Sequence, residues 1–172
     1  MRDLNSLEKK FKIKVERVIE LCKDESIVMV PYFTLRSPWQ QAKYWRQSRS
    51  TAEVKNAIEM LHEEGAHWLA VILDGVGPQR GRWCTNALPG LSWHQYGEAV
   101  DCYLLKNGKA NWDSVSYKRY AEISEQEGLT AGFFWRSQDA VHVQARKDKV
   151  TFCYDWIDID AIMQKKFKRR NL

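Results

Sequence analysis

The sequence predicts a single α+β domain with a small, mostly antiparallel sheet flanked by helices. Apolar residues recur at helical spacing near the N-terminus, and short runs typical of strands occupy residues 27–33, 99–104 and 141–144. The chain has 172 residues, of which 44% are hydrophobic, enough for one core but hardly for two independent domains. We therefore expect one domain over residues 1–172, with its core at about residues 25–160.

The first half of the chain carries clear signals for three helices. From Leu4 onward, apolar side chains recur every three or four residues, which predicts an amphipathic helix with one buried face. Ser37 and Pro38 follow the predicted strand at 27–33 and are typical of a helix N-cap and first helical position. Residues 50–53, Ser-Thr-Ala-Glu, form a capping box that opens another helix, and Gly65 is placed to end it.

The second half mixes helical, irregular and extended patterns. Residues 66–73 are apolar enough for a helix or a strand, and we favour a helix. Residues 75–90 contain four glycines and two prolines, which indicates an irregular connection, with a short strand expected around residues 83–85. Residues 114–127 are typical of a helix that Gly128 ends.

The charge of the chain suits an anionic partner. Lysine and arginine number 27 against 22 acidic residues, a net charge of +5, which is compatible with nucleic acid or bacterial cell wall. Part of the positive charge lies in a basic C-terminal tail at residues 164–172, which we expect to be a solvated end. Its basic residues are Lys165, Lys166, Lys168, Arg169 and Arg170.

Two expectations about the cellular environment follow from what the sequence lacks. No apolar run approaches the roughly 20 residues of a membrane span, and residues 1–10 lack the apolar core of a secretory signal, so we expect synthesis in the cytoplasm and no membrane insertion. The cysteines show no paired Cys-x-x-Cys spacing, so we expect reduced, mostly buried thiols. They are Cys22, Cys84, Cys102 and Cys153.

The most informative segment, residues 92–101, ends by placing Asp101 inside an apolar strand. An unpaired buried carboxylate costs several kcal/mol or becomes protonated, so a metal ion or a cationic neighbour is expected beside it. Gly97 allows the chain to turn sharply and return His94 to the same site.

Polar side chains also interrupt the apolar sequence of residues 139–144, where His142 and Gln144 alternate with valines. Asp139 is three residues from His142, so both serve one site only if Asp139 lies in the turn before the strand. Two histidines and one carboxylate with an open fourth position suit catalytic zinc. His62 and His67 lack such neighbours, and we expect them near helix surfaces without a metal role.

These residues resemble the motifs of a known family, the zinc D,D-carboxypeptidases and L-alanyl-D-glutamate peptidases, which are related to vancomycin-resistance dipeptidases and the hedgehog signalling domain. The resemblance covers residues 32–144 and includes an upstream Arg-Ser-x-x-x-Gln motif. Where many relatives have Trp-Gly-Gly-Asp-Trp, this chain has Trp-Arg-Ser-Gln-Asp at residues 135–139, so its substrate wall is expected to differ in shape. The motif residues are Arg36, Ser37, Gln41, Ser92, His94, Gly97, Ala99, Asp101, Asp139 and His142.

The resemblance also implies roles for these residues. Asp139 is expected to act as general base and acid, and Arg36 to stabilise the carbonyl oxygen or orient the substrate. Two further residues are candidates for substrate contacts or for support of the ligands. The implied Zn²⁺ ligands are His94, Asp101 and His142, and the candidate supporting or substrate-binding residues are Ser92 and Gln41.

The activity that the resemblance implies is zinc-dependent hydrolysis of stem or cross-bridge peptides in bacterial peptidoglycan. We favour an L-alanyl-D-glutamate endopeptidase of the phage endolysin type, which acts on the cell wall after release, because no secretory signal is found. We expect a monomer.

Three alternatives stay open on the sequence alone. A D-alanyl-D-alanine carboxypeptidase or dipeptidase would need a second cation near Arg36 to bind the terminal carboxylate, for which Arg46, Arg80 and Arg82 are candidates. A non-catalytic, zinc-containing wall-binding domain is a second alternative. Specific nucleic-acid binding is a third, which we do not expect because the basic residues form no stripe interleaved with aromatic residues.

Overall fold

The computed structural model describes residues 3–168. The α-helices of this part of the chain are α1 (Lys9–Asp24), α2 (Pro38–Arg46), α3 (Thr51–Glu63), α4 (His67–Gly75), α5 (Trp93–Tyr96), α6 (Ser114–Gln126), α7 (Val150–Cys153) and α8 (Trp156–Phe167). The strands are β1 (Met29–Phe33), β2 (Ala99–Lys106), β3 (Lys109–Asn111), β4 (Thr130–Ala131) and β5 (His142–Gln144).

The predicted fold class is confirmed: the chain is an α+β domain with one small sheet in which every strand pair is antiparallel. Within it, contacts divide the chain into two compact units. The sheet unit comprises Met1–Leu35 and Tyr96–Lys147, and the helical unit comprises Arg36–Gln95 and Asp148–Leu172. The exact domain limits stay a prediction.

In the sheet unit, the strands are ordered β1-β2-β5-β4, and β3 also pairs with β2. Val100, Cys102 and Leu104 alternate along β2 toward one face. On that face they form a single core with side chains of α1 and α6. This hydrophobic core includes Phe11 and Val15 of α1. The opposite face of the sheet is therefore left to carry polar side chains.

The N-terminal helix begins later than its apolar periodicity suggests. Leu4–Ser6 forms a 3₁₀ turn that Asp3 caps, and Leu7 is extended. α1 then starts at Lys9, because the Glu8 carboxylate accepts hydrogen bonds from the amides of Lys10 and Phe11.

In the helical unit, both predicted capping motifs are present. Ser37 caps α2 and exchanges hydrogen bonds with Gln40, and Ser50 does the same with Glu53 at the start of α3. The helix favoured at residues 66–73 is confirmed as α4. The short strand expected at residues 83–85 is wrong, since that part of the connection is irregular.

The C-terminal prediction needs correction. Asp155 caps α8, in which Ile159, Met163 and Phe167 are buried at helical spacing. Lys165 and Lys166 therefore belong to a packed helix and not to a solvated tail. Arg169 and Arg170 lie outside the described residues.

The cysteine prediction is half right. All four cysteines are free thiols, but only Cys22 and Cys102 are buried, while Cys84 and Cys153 are exposed. Burial raises the pKa of both core thiols to about 12, so they stay protonated at neutral pH. Among the described helices, none combines the length and apolar character that a membrane crossing requires.

The N-terminus of α4 depends on a residue that is distant in sequence. Ala66 occupies its N-cap and offers no side-chain acceptor. Asp160 of α8 replaces it: its carboxylate accepts from the amides of Leu69 (2.8 Å) and Trp68 (3.4 Å). Asp160 is buried, and Gln164 donates a further hydrogen bond to it. This carboxylate joins α4 to α8.

Replacement of Asp160 by alanine should lower the free energy of unfolding by about 2 to 3 kcal/mol, because a helix cap is lost and buried N–H groups are left unpaired. Asp160→Asn, which keeps one acceptor oxygen, should lose about 1 kcal/mol or less. Urea denaturation monitored by circular dichroism measures both values. Equal losses in the two variants would contradict the capping role.

Candidate active site and metal centre

The sheet brings two of the predicted ligands face to face. Asp101 lies opposite His142 in the antiparallel register of β2 and β5, so their side chains project from the same face of the sheet. Nδ1 of His142 is 3.0 Å from Oδ1 of Asp101, and each residue is only 8% exposed. The carboxylate that the sequence placed in an apolar strand thus has its partner.

The third predicted ligand, His94, lies in the four-residue helix α5 and is 2% exposed. The turn that leads into α5 is organised by Gln95, whose Oε1 accepts from the amides of Gly90 (2.9 Å) and Ser92 (3.4 Å). After the helix, Gly97 has φ +78°, and a Cβ there would lie 3.2 Å from backbone atoms of residues 6 and 8. The sharp turn predicted at Gly97 is confirmed, and glycine suits both its dihedral angle and the close approach.

The three predicted ligands form one cluster. A donor atom from each of His94, Asp101 and His142 lies within 4.8 Å of the others, and all three residues are buried. The structure therefore brings the three residues together as a group that could hold a metal ion, and their role as Zn²⁺ ligands stays a prediction. Two imidazoles and one carboxylate are the donor types of catalytic zinc sites, in which three protein ligands leave a position open.

The electrostatics of the pair favour a bound cation at His142. Burial of the ring opposes its protonation, but the hydrogen bond that the protonated ring donates to Asp101 and the charges of Asp101 and Asp139 outweigh burial, so the pKa of His142 is raised. A site that attracts a proton between these groups also attracts a metal cation. The two compete for the same nitrogen.

Asp139 lies outside strand β5, in the segment before it, as one shared site requires. Its backbone carbonyl accepts from the amide of His142 (3.2 Å), and its amide donates to Gly132 (2.9 Å). A Cβ at Gly132 would lie 2.6 Å from the Asp139 carbonyl oxygen. Because Gly132 has no side chain, the backbone at Asp139 can pack directly against it. Asp139 itself remains exposed.

Arg36 is held from two directions within its unit. Its amide donates to the carbonyl of His94 (3.1 Å), and its guanidinium donates to Oε1 of Gln41 (3.0 Å). Gln41 is fully buried, and its amide nitrogen donates to Ala87 (2.7 Å). The sequence suggested substrate contact or support of the ligands for Gln41; its burial argues against substrate contact, and the residue that it supports is Arg36.

Ser92 is half-buried directly before α5, and its carbonyl accepts from the amide of Gln95 (2.9 Å). A substrate contact of its hydroxyl stays a prediction.

Three further residues border the site, and the sequence did not assign them roles. The Trp135 ring centroid is 5.2 Å from that of His142, and the indole is 38% exposed. Tyr32 lies where the β1–β2 register shifts, and burial, followed by the charges of Asp101 and Asp139, raises its pKa, so the phenol stays protonated. Gln144 contacts His142 directly. Gln144 left a signal in its alternation with His142 along one strand face, and Trp135 lies in the segment 135–139 that is expected to shape the substrate wall, whereas Tyr32 left no signal.

The other histidines do not belong to the cluster, and the candidate second cations are either hydrogen-bonded to helix-end carbonyls or exposed. His62 and His67 are exposed, as predicted, with their Nδ1 atoms 3.1 Å apart, and neither belongs to the three-residue metal group. Arg46 donates to the carbonyls of Leu73 and Asp74 at the end of α4. Arg80 and Arg82 are exposed.

Comparison with known proteins places the chain among peptidases. The model of the D-alanyl-D-alanine carboxypeptidase family VanY matches residues 4–147. A search of curated proteins gave no match. Among solved structures, the chain is similar to the L-Ala D-Glu endopeptidase ChiX of Serratia marcescens, with 19% identity and a TM-score of 0.45 over 82% of this chain and 81% of that one.

It is also similar to the vancomycin-resistance D,D-pentapeptidase VanY of a VanB-type resistance cassette, a mutant solved in complex with Zn(II). The identity is 15% and the TM-score 0.48, over 86% of this chain and 78% of that one. The family match itself spans most of the sequence and includes the three clustered residues His94, Asp101 and His142. It also includes Asp139 and Arg36. The chain therefore belongs to the D-alanyl-D-alanine carboxypeptidase family VanY, a family of hydrolytic peptidases.

Proposed function

We propose that this protein is a zinc-dependent peptidase that hydrolyses stem or cross-bridge peptides of bacterial peptidoglycan. The observation that carries the proposal is the buried cluster of His94, Asp101 and His142 in a chain of the VanY family. The proposed substrate class follows the family description, and it is consistent with the net charge of +5, which suits an anionic polymer.

The residues of the cluster fit Zn²⁺ by their chemistry. His94 and His142 offer imidazole nitrogens, and Asp101 offers an oxygen in a site almost closed to solvent. A bound Zn²⁺ would activate a water molecule for attack and polarise the scissile carbonyl.

Asp139 has the position of a general base. Its side chain is exposed, yet its charge contributes to the raised pKa of His142, so the carboxylate lies within electrostatic range of that ligand. Asp139 would accept a proton from the attacking water and transfer it to the leaving amine as the C–N bond breaks.

Arg36 would orient the substrate carbonyl or stabilise the negative charge that develops on its oxygen. The hydrogen bond from Arg36 to buried Gln41 supports this role, because it fixes the guanidinium before a substrate arrives.

For the bond that is cut, we propose L-alanyl-D-glutamate endopeptidase action on the cell wall. A carboxypeptidase needs a cation for the free terminal carboxylate in addition to Arg36. Of the candidate cations, Arg46 is already bound to two helix-end carbonyls, while Arg80 and Arg82 are exposed. D-alanyl-D-alanine carboxypeptidase action is the second candidate, and the family description favours it.

Digestion of purified peptidoglycan should separate these functions. Zinc-loaded protein is expected to expose new glutamate amino groups, detected by mass spectrometry of the fragments, and chelator treatment should abolish the release until zinc is restored. Release of free D-alanine instead would establish the carboxypeptidase. Stoichiometric zinc without any cleavage would overturn the peptidase proposal in favour of a wall-binding domain.

The metal ligands and the proposed general base should respond differently to substitution. His94→Ala should lose zinc and activity together, because it removes a ligand. Asp139→Asn should keep zinc but lower kcat by a factor of about 100 to 10,000, because the proton acceptor is lost. Zinc content by atomic absorption and kcat on a synthetic stem peptide measure both effects.

The control for charge loss is Asp24→Asn, which removes an exposed carboxylate at the end of α1 and should keep both zinc and turnover. Full activity in Asp139→Asn would exclude Asp139 as the base.

The raised pKa of His142 predicts how zinc affinity depends on pH. Protonated His142 stabilises the metal-free fold below the ordinary histidine pKa of 6.5, and this stabilisation is lost as pH rises through the raised folded-state pKa. Because zinc must displace this proton, its apparent affinity should fall by up to about tenfold per pH unit below that value. Calorimetric zinc titrations across the range measure this slope, and a flat profile would contradict the competition.

A further inference from the structure

The second ring nitrogen of His142 has a partner of its own. Nε2 of His142 lies 3.0 Å from Oε1 of Gln144, on the side of the ring away from the Asp101 contact at Nδ1. Both residues belong to β5 and are separated by one residue, so they share a face of the strand. Both are 8% exposed, so water hardly competes for this contact.

The orientation of the Gln144 amide is fixed by a third group. Its nitrogen Nε2 donates to the backbone carbonyl of Arg146 (2.5 Å). Reversal of the amide would place its oxygen against that carbonyl oxygen, and two acceptors repel each other. The oxygen Oε1 therefore faces the imidazole, and it can only accept a hydrogen bond. The hydrogen on that contact must come from Nε2 of His142.

The carbonyl that fixes the amide is itself held in place. The Arg146 guanidinium forms two hydrogen bonds to the carboxylate of Glu98, one residue before β2. The amide of Ala145 donates to the Glu98 carbonyl (2.8 Å). The end of β5 is thus joined to the start of β2 by both backbone and side-chain contacts. The ring of His142 is positioned through a chain of groups that ends in this ion pair.

We propose that Gln144 is a positioning residue that keeps Nε2 of His142 protonated and presents Nδ1 as the metal-binding atom. The inference rests on the metal site of the proposed function and adds which nitrogen binds and what selects it. An imidazole that keeps its proton on Nε2 directs its lone pair from Nδ1 into the cluster. A hydrogen bond that the remote N–H donates also fixes the ring plane and makes the ligand nitrogen more basic.

Substitution of Gln144 separates hydrogen bonding from packing. Gln144→Met preserves length and approximate volume but removes the strong acceptor, so zinc affinity should fall by a factor of about 10 to 100. Gln144→Glu keeps an acceptor oxygen toward His142 but turns its second oxygen toward the Arg146 carbonyl, so it should restore only part of the affinity. Gln126→Met is the matched control, because Gln126 is exposed on α6, and its zinc affinity should equal that of the wild type.

The measurements are zinc affinity by competition with a chromophoric chelator and ¹⁵N NMR of the histidine rings in the zinc-loaded wild type. The NMR spectrum should show metal coordination at Nδ1 of His142 and a slowly exchanging proton on Nε2. This second measurement needs no variant, so it tests the inference even where Gln144→Met does not fold. Circular dichroism and thermal unfolding verify the fold of each variant.

Two outcomes would overturn the inference: coordination through Nε2 of His142, or an unchanged zinc affinity in a folded Gln144→Met protein. Neither outcome depends on hydrolysis. A wild type that binds zinc through Nδ1 but cuts no peptide would contradict the proposed function and leave the role of Gln144 intact. A wild type that cuts peptide, together with a folded Gln144→Met protein that binds zinc with normal affinity, would support the proposed function and contradict the role of Gln144.

Discussion

The structure of the candidate site depends on the contact between Asp101 and His142 across β2 and β5. A buried carboxylate without a partner is costly, and so is a buried imidazole whose two nitrogens lack hydrogen bonds. Each residue relieves the other, and their attraction raises the pKa of His142. The opposite face of β2 packs Val100 and Cys102 into the apolar core, which fixes the register of the strands. The same core that stabilises the sheet therefore determines which side chains meet in the polar site.

Glycines and amides that perform no chemistry hold the parts of the site in position. Gly132 allows the backbone at Asp139 to approach the backbone of Gly132 closely, and Gly97 provides a turn at positive φ after α5. Gln95 pairs with backbone amides before that helix, and Gln41 supports Arg36. A catalytic arrangement must be rigid to within a fraction of an ångström, and buried hydrogen bonds supply that rigidity. These groups hold Asp139, His94 and Arg36 in fixed positions although the sheet itself is small and its strands are short.

The surroundings of the ligands also bear on substrate choice. Trp135 packs beside His142 with more than a third of its surface exposed, in the segment where the sequence departs from the commoner family motif. Tyr32 lies at a register shift in β1 and remains a hydrogen-bond donor because its pKa is raised. A β-bulge changes the direction of a side chain relative to its strand, and such features are common beside active sites. An aromatic surface and a phenol therefore border the cluster of His94, Asp101 and His142.

The sequence by itself predicted the α+β class, the capping boxes at Ser37 and Ser50, and the grouping of His94, Asp101 and His142. These features are local, or they leave a conflict such as Asp101 within an apolar strand, which a reader of the sequence detects. The tertiary structure alone decided the cap that Asp160 gives to α4, the burial of Gln41, the burial of one face of α8 and the contact of Gln144 with His142. Short strands such as β3 and β4 are stabilised by ladder partners and not by intrinsic propensity, so they left no pattern to find. The physical reason is the same throughout: hydrogen bonds between residues distant in sequence, and burial, exist only once the chain has folded.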